Sequence, residues 1–446
     1  MRKGKGRGMD RRMFLKGSTA MAAPFVLGCQ VTPVQTAPAL IAPPHKPLPP
    51  DALKVGLVGC GGRGTGAAQN ALEAEDGTVV LTAVGDVFAD KIDGCLKALS
   101  EALGERQDRV RVEPDRRFTG FDAYKQVIDS GVDVVLLCTS PHFRPQHLRY
   151  AIEKGKHVFC EKPVAVDAPG VRSVLETVEM ARGKKLALKS GFCWRSYAPH
   201  LETYRRLHDG AIGAIRAFYS TYNTSPVGTH PRKKGWSDLE FQIRDWQHFV
   251  WLSGDHVVEQ AIHSLDKQAW LFHDEPPKSV VAVGGRAVPS AEERGNVWDH
   301  FGATFDYGDG VKAFHMCRQW DGCAGENHDY YYGEKGTAVI RGWDPWHAIE
   351  AGGETWTYPG PWNDMYQAEH DALFAAIRSG TELNEGVSMT RSTLLAIMTR
   401  MAAYTGRVIT WEEALNSKER LGPEEYELGP PLAVAPIAIP GKTPFA

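Results

Sequence analysis

Three short motifs in the chain carry residue types able to move a proton and hold a charge. The first is Glu161-Lys162-Pro163, closing an apolar run ("KHVFCEKP"). A lysine at the carboxyl end of a strand, fixed by the proline after it, is expected to point into a crevice. There an ammonium can polarise a hydroxyl and stabilise the alkoxide formed from it. The second is Glu259-x3-His263-x2-Asp266 in "EQAIHSLD". Helical spacing predicts Glu259 and His263 on one face, with Asp266 a turn later, and an imidazole beside a carboxylate can take a hydroxyl proton. His256 precedes this group, but its spacing misses the His-Glu-x-x-His pattern, so no metal is expected.

The third motif is Gly59-Cys60-Gly61-Gly62-Arg63-Gly64, which fits G-x-G-x-x-G. It follows a strand-like run, opens a helix-like one and precedes Asp86 at the end of the next apolar run. Each part has a job: Gly59 for a tight turn, Gly61 for close approach of a pyrophosphate, Gly64 for helix packing. The helix start, with Gly62 and Arg63, presents N–H groups to phosphates. Asp86 would accept from the adenosine ribose and repel a 2′-phosphate, favouring NAD over NADP. Thr139, Pro141 and His142 end another run at the same sheet edge and are expected to line the cofactor crevice, together with Glu161 and Lys162; His147 reads as a solvent-facing helix residue.

These motifs need a frame. From Lys54 to Phe192, short apolar runs alternate with helical patterns, which predicts a doubly covered parallel sheet. After about residue 190 the runs lengthen and partly alternate, with Asp309-Gly310 as a hairpin turn. The expected fold is an α/β Rossmann-type dinucleotide domain (51–190) followed by an α+β domain (191–420) with a large, mostly antiparallel open sheet. A proline-rich linker (30–50) precedes them and a proline-rich, irregular tail (421–446) follows.

In this order the motifs resemble those of the Gfo/Idh/MocA oxidoreductases, from roughly Leu53 to Trp411. The resemblance implies proton chemistry by Lys162 and His263 on a sugar or inositol hydroxyl, with Asp266 orienting the site. It implies that the second sheet walls the substrate site and serves as an interface in a homo-oligomer. That family often has Asp where this chain has Glu259.

All twelve tryptophans lie at or after Trp194, which suits stacking on sugar rings, although most are expected to be packing residues. Trp194, Arg195 and Tyr197 are expected to hang over the crevice as substrate contacts with Glu259 and His263; Arg318-Gln319-Trp320 is a weaker candidate.

Residues 1–29 carry a balance of +6 within a chain of net charge −3, leaving the rest acidic and a poor match for nucleic acid. Asp10–Cys29 resembles a twin-arginine export signal, with Val26-Leu27-Gly28-Cys29 as a lipidation box and the export machinery as a partner. The expected location is therefore periplasmic or lipid-anchored, and no later segment looks like a transmembrane helix. The remaining cysteines (60, 95, 138, 160, 193, 317 and 323) are scattered singly and are expected to be buried free thiols. Outside the membrane nicotinamide is scarce, so NAD would be tightly bound and regenerated in each cycle. Three functions fit: a sugar oxidoreductase with resident NAD, a redox-neutral glycosidase resembling glycoside hydrolase family 109, or a sugar-binding protein without catalysis. For the elimination step of the glycosidase the candidate bases are Tyr219, Tyr222 and His328.

Overall fold

The apolar run Leu53–Val58 (β1) is buried on both faces, as is Val79–Asp86 (β2) over most of its length, and such continuous burial requires neighbours above and below the strand. The computed structural model describes residues 47–446 except 76, 289–294 and 345. β1 and β2 pair in parallel with Arg117–Thr119 (β3), Val134–Leu137 (β4), His157–Cys160 (β5) and Leu188–Ser190 (β6) in the order β3-β2-β1-β4-β5-β6. The order reverses between β1 and β4, and the carboxyl ends there open the crevice used for dinucleotides. The helix Gly62–Glu73 covers one face with a stripe of Gly64, Ala67, Ala68, Ala71 and Leu72, the i, i+3, i+4, i+7, i+8 spacing of an amphipathic helix.

The second sheet has nine strands. They are Ile215–Thr224 (β7), Ser279–Gly285 (β8), His300–Gly308 (β9), Val311–Gln319 (β10), His328–Gly333 (β11), Gly336–Arg341 (β12), His347–Ala351 (β13), Glu354–Thr357 (β14) and Ile409–Thr410 (β15). Their order is β14-β13-β12-β11-β7-β10-β9-β8-β15. All pairs are antiparallel except β7 with β10, so the sheet is mixed at its centre. The β9–β10 hairpin turns at Asp309 and Gly310, both with positive φ as the turn requires. Alternation is strict on β10: Ala313, His315 and Cys317 point inward, while Phe314 and Met316 face out. Helices Ile262–Leu271 and Gly386–Thr405 pack on the inner face.

One helix does not respect the expected division near residue 190. Met365–Ser379 returns to the first sheet, where Leu373 and Phe374 join the core formed by β1, β2 and β4. The tail has no regular element, as expected, yet it is tied down. Leu432 donates its N–H to Asp238 (3.0 Å) and accepts from Gln242 (2.9 Å), and Gly441 N–H donates to the Thr405 carbonyl (3.0 Å). Of the cysteines, 60, 95, 160, 193 and 317 are buried and 138 is half-buried; Cys323 is exposed, against expectation, because it sits in the turn after β10. Asp10–Cys29 and most of the linker lie outside the described residues. No helix of the described residues is long and apolar enough to cross a membrane.

Candidate active site

The glycine motif forms the turn between β1 and its helix. Gly59 has φ +96° and lies so close to β4 that a Cβ would fall 2.6 Å from the Thr139 nitrogen. A Cβ on Gly64 would meet the Gly59 carbonyl oxygen at 1.9 Å, so the helix can approach the strand only with glycine there. At Gly61 and Gly62 the space a Cβ would take is empty. The helix starting at Gly62 has no side-chain cap and no acidic residue in its first turn. A helix start of this kind leaves N–H groups free for an anion, and Arg63 adds a buried guanidinium nitrogen without a partner. Together these fit a pyrophosphate.

Asp86 ends β2 and ties the glycine loop in place. Its carboxylate accepts from the N–H of Cys60 (2.7 Å) and of Phe88 (3.0 Å). Burial raises its pKa against those two hydrogen bonds. Beside it opens a narrow cleft of about 30 Å³, lined by Asp86, Val87, Phe121, Thr139 and Phe143 among others. His147, read as solvent-facing, lines this cleft too: it is buried against Tyr124 and its Nδ1 is 3.3 Å from the Thr139 hydroxyl. Burial holds it neutral, with a pKa of about 3. His142, expected to line the crevice, packs edge-on against Phe143. Its Nε2 lies 2.6 Å from the Tyr426 hydroxyl, so its hydrogen bond goes to the tail; Pro141 beside it is buried.

At the end of β5, Glu161 is buried, with Arg63 donating to one carboxylate oxygen and the Lys162 N–H (3.1 Å) to the other. Burial opposes its charge, but Arg63 and Arg144 outweigh that and hold its pKa low. The Lys162–Pro163 peptide is cis. The Lys162 ammonium donates to the Glu259 carbonyl oxygen at 2.6 Å and lies 3.5 Å from Glu259 Oε1. Gln247 (3.2 Å) and Gln260 (2.6 Å) donate to the other carboxylate oxygen.

Glu259 and His263 do not share one regular helix. Glu259 ends a single turn, His256–Glu259, and His263 lies in the first turn of the helix Ile262–Leu271. Between them the Ala261 N–H bonds to the His256 carbonyl five residues back, a local widening that re-aims the side chains. His263 is 7% exposed and its Nδ1 is buried without a partner. Burial first, then the charge of Lys162, pushes its pKa well below 6.5, so the imidazole is a neutral proton acceptor.

Four expected roles change. Asp266 is fully buried and accepts from Arg195 (2.9 and 3.1 Å) and Ser392 (2.7 Å), with no hydrogen bond to His263. Arg195 spends its other nitrogens on Asp274 (3.2 and 2.6 Å), leaving the pair a structural strut. Trp194 is 1% exposed, packed against Tyr197, His200 and Trp343, because its own strand-end loop folds inward. Tyr197 is buried in the same cluster. Of the three candidate bases, Tyr219 stacks on Tyr330 on the outer face and His328 bonds the Tyr330 hydroxyl (3.2 Å). Only Tyr222 reaches the site, its hydroxyl donating to Gln260 (3.3 Å). Arg318 lines the outer-face groove with Tyr219, so it faces away from Lys162. Sequence reasoning missed Gln247 and Gln260, since lone glutamines carry no spacing signal. It also missed Tyr366 over Arg63 (4.8 Å) and the fully buried Glu369. Among the described residues, no group of three or more His, Cys, Asp or Glu side chains is arranged to hold a metal ion.

The oxidoreductase-family NAD-binding Rossmann model matches residues 53–192, and the GFO/IDH/MocA C-terminal domain model matches 200–339, together more than half the chain. The chain belongs to the Gfo/Idh/MocA oxidoreductase family. This Gfo/Idh/MocA chain is 24% identical to an inositol 2-dehydrogenase of Rhizobium meliloti, over 68% of its own length and 90% of the relative's. It spans about half the length of other inositol dehydrogenases it matches. Among solved structures it resembles the aldose-aldose oxidoreductase of Caulobacter crescentus, at 22% identity and a TM-score of 0.62, covering 80% of this chain and 99% of that one. A levoglucosan dehydrogenase complexed with NADH and levoglucosan superposes with a TM-score of 0.65 at 17% identity, covering 81% and 99%. The fold and the NAD(P)-dependent oxidoreductase class follow from the family.

Proposed function

We propose that this protein oxidises a hydroxyl of a sugar or sugar derivative, using an NAD that stays bound between turnovers. The observation that carries this reading is the convergence of the Lys162 ammonium and the neutral His263 imidazole beside the glycine-loop crevice. Bound NAD would supply the hydride acceptor and, in the return direction, the donor. Gly61, Gly62 and Arg63 would hold its pyrophosphate, Asp86 its adenosine ribose, and Thr139 and Glu161 the walls of the crevice. Lys162 would hold the substrate oxygen and stabilise negative charge there, while His263 accepts the hydroxyl proton. Glu259 fixes the lysine through two contacts and is itself held by Gln247 and Gln260. Asp86 favours NAD over NADP, because its carboxylate would repel a 2′-phosphate. The names of the related inositol and aldose oxidoreductases support a polyol or sugar as the substrate class.

The chain's opening segment supports export of the folded holoprotein, and resident NAD recycled in place suits that location. Exposed Val281, Val283, Phe314, Met316 and Tyr332 on the second sheet support association into a homo-oligomer. The glycosidase reading keeps one supporting observation, the placement of Tyr222 beside Gln260 at the site. One experiment separates the two: aryl glycosides and free sugars are offered to protein purified with its cofactor. Keto-sugar product supports the oxidoreductase, and phenol release without net NADH supports the glycosidase. Protein that binds no nicotinamide nucleotide in calorimetry contradicts both and leaves a sugar-binding protein.

A further inference from the structure

Three segments distant in sequence meet over the cleft beside Asp86. Phe121 and Phe143 come from the loops after β3 and β4 and line the cleft. The tail's Tyr426 stacks on Phe121 (ring centroids 5.4 Å) and packs edge-on against Phe143 (5.1 Å), while its hydroxyl pairs with His142. Residues 236–252, an excursion between β7 and the His256–Glu259 turn, add Trp236, Phe241, Phe249, Trp251 and Leu252 to the same apolar cluster, which is separate from the main core. The tail runs hard against it: Gly422 has φ +96°, and a Cβ there would fall 2.8 Å from the Trp251 ring and 2.9 Å from His142.

The excursion is latched to the loop that follows Asp86. Arg244 makes a two-pronged ion pair with Asp90 (3.0 and 2.9 Å), and its guanidinium lies 3.8 Å from the Phe88 ring centroid. Trp251 donates to Gln242 (2.7 Å), which donates in turn to the Leu432 carbonyl, so excursion and tail form one connected cover. A small satellite cluster of this kind opens at lower cost than the main core. We propose that Tyr426, with the Arg244-latched segment 236–252, is a clasp that retains the adenosine half of the bound dinucleotide, so that cofactor leaves only when the clasp opens. This rests on the reading above that NAD occupies the glycine-loop crevice and the Asp86 cleft. It supplies a physical reason for a cofactor that is regenerated in place: retention is kinetic, set by a cover that touches the Lys162–Glu259 site through Gln247.

The test measures the rate at which the full-length holoprotein releases labelled NAD into excess unlabelled NAD, and the same for ADP-ribose, which keeps the adenosine half and lacks only the nicotinamide. Y426A and R244A should each speed release of both ligands by about tenfold or more, because losing part of a cover acts mainly on dissociation. Release of both ligands within twofold of wild type in these variants would overturn the clasp. Wild-type amide exchange covers variants that fold poorly: loading NAD should slow exchange in 236–252 and around Tyr426, and unchanged exchange there contradicts the proposal. A wild-type protein that binds neither NAD nor ADP-ribose fails the cofactor reading itself, an outcome distinct from bound ligand released at an unaltered rate.

Discussion

Lys162, at the end of β5, reaches across to Glu259 on the second half of the chain, its ammonium 2.6 Å from the backbone carbonyl and 3.5 Å from the carboxylate. The lysine thereby spans the boundary between the nucleotide-binding sheet and the helical segments that carry Glu259 and His263. Its side chain is 13% exposed, enough to meet a substrate oxygen while the remaining bonds fix its direction.

Replacing Lys162 by methionine keeps the stem and removes the charge. Turnover per bound NAD should fall by roughly 10²–10⁴-fold, the range for loss of a positioned proton-handling group. Copurified NAD, measured by absorbance after denaturation, should persist. Full turnover in this variant would remove the lysine from the chemistry.

His263 is expected to set the acid side of the pH profile. Burial and the Lys162 charge both disfavour the imidazolium, so the base form persists as pH falls through 6.5. The acid limb of kcat/KM should therefore lie below that value. In K162M the lysine charge is gone while burial and the charges of Lys267 and Arg63 remain, and whatever activity remains should show its acid limb shifted upward. An acid limb at 6.5 in both proteins would contradict this assignment.

Asp86 to alanine removes the acceptor of two backbone N–H groups and the charge facing the cleft. The preference for NAD over NADP, measured as a ratio of dissociation constants, should drop by about one to two orders of magnitude. Affinity for NAD should fall as well, since the glycine loop loses its tether at Cys60. An unchanged ratio would move discrimination elsewhere.

Arg195 to alanine leaves Asp266 buried with Ser392 as its remaining side-chain partner. Breaking one side of such a pair costs about 3–5 kcal/mol, read as a loss of stability in urea unfolding. If Arg195 instead contacted sugar, the variant would unfold normally and show a raised KM.

Five strands of the first sheet were legible as short apolar runs, and the Gly64 to Leu72 stripe marked the first helix; β3, with the sequence Arg-Phe-Thr and two exposed positions, carries no such signal. The glycine motif was legible because each glycine answers a backbone constraint local to the motif. The second sheet was harder. β11, β13 and β14 escaped notice because "HDYYYG", "HAIEA" and "ETWT" mix polar and apolar residues without strict alternation. The roles of Arg195 and Trp194 were misread for another reason: a residue type suited to sugars says nothing about the direction its loop takes. The tail's part in the cofactor end of the molecule was invisible, since Tyr426 and His142 are 284 positions apart.

The central claim, a resident NAD that cycles on sugar hydroxyls at Lys162 and His263, is tested most directly by a single turnover of the bound cofactor. Holoprotein stripped of free nucleotide is mixed with candidate sugars and polyols while the nicotinamide absorbance is followed. The expected result is reduction of one cofactor per site by a sugar or polyol, with the reduced nucleotide retained on gel filtration, and no reduction in K162M. Bound NAD that no sugar or polyol reduces, or reduction that survives intact in K162M, would contradict it.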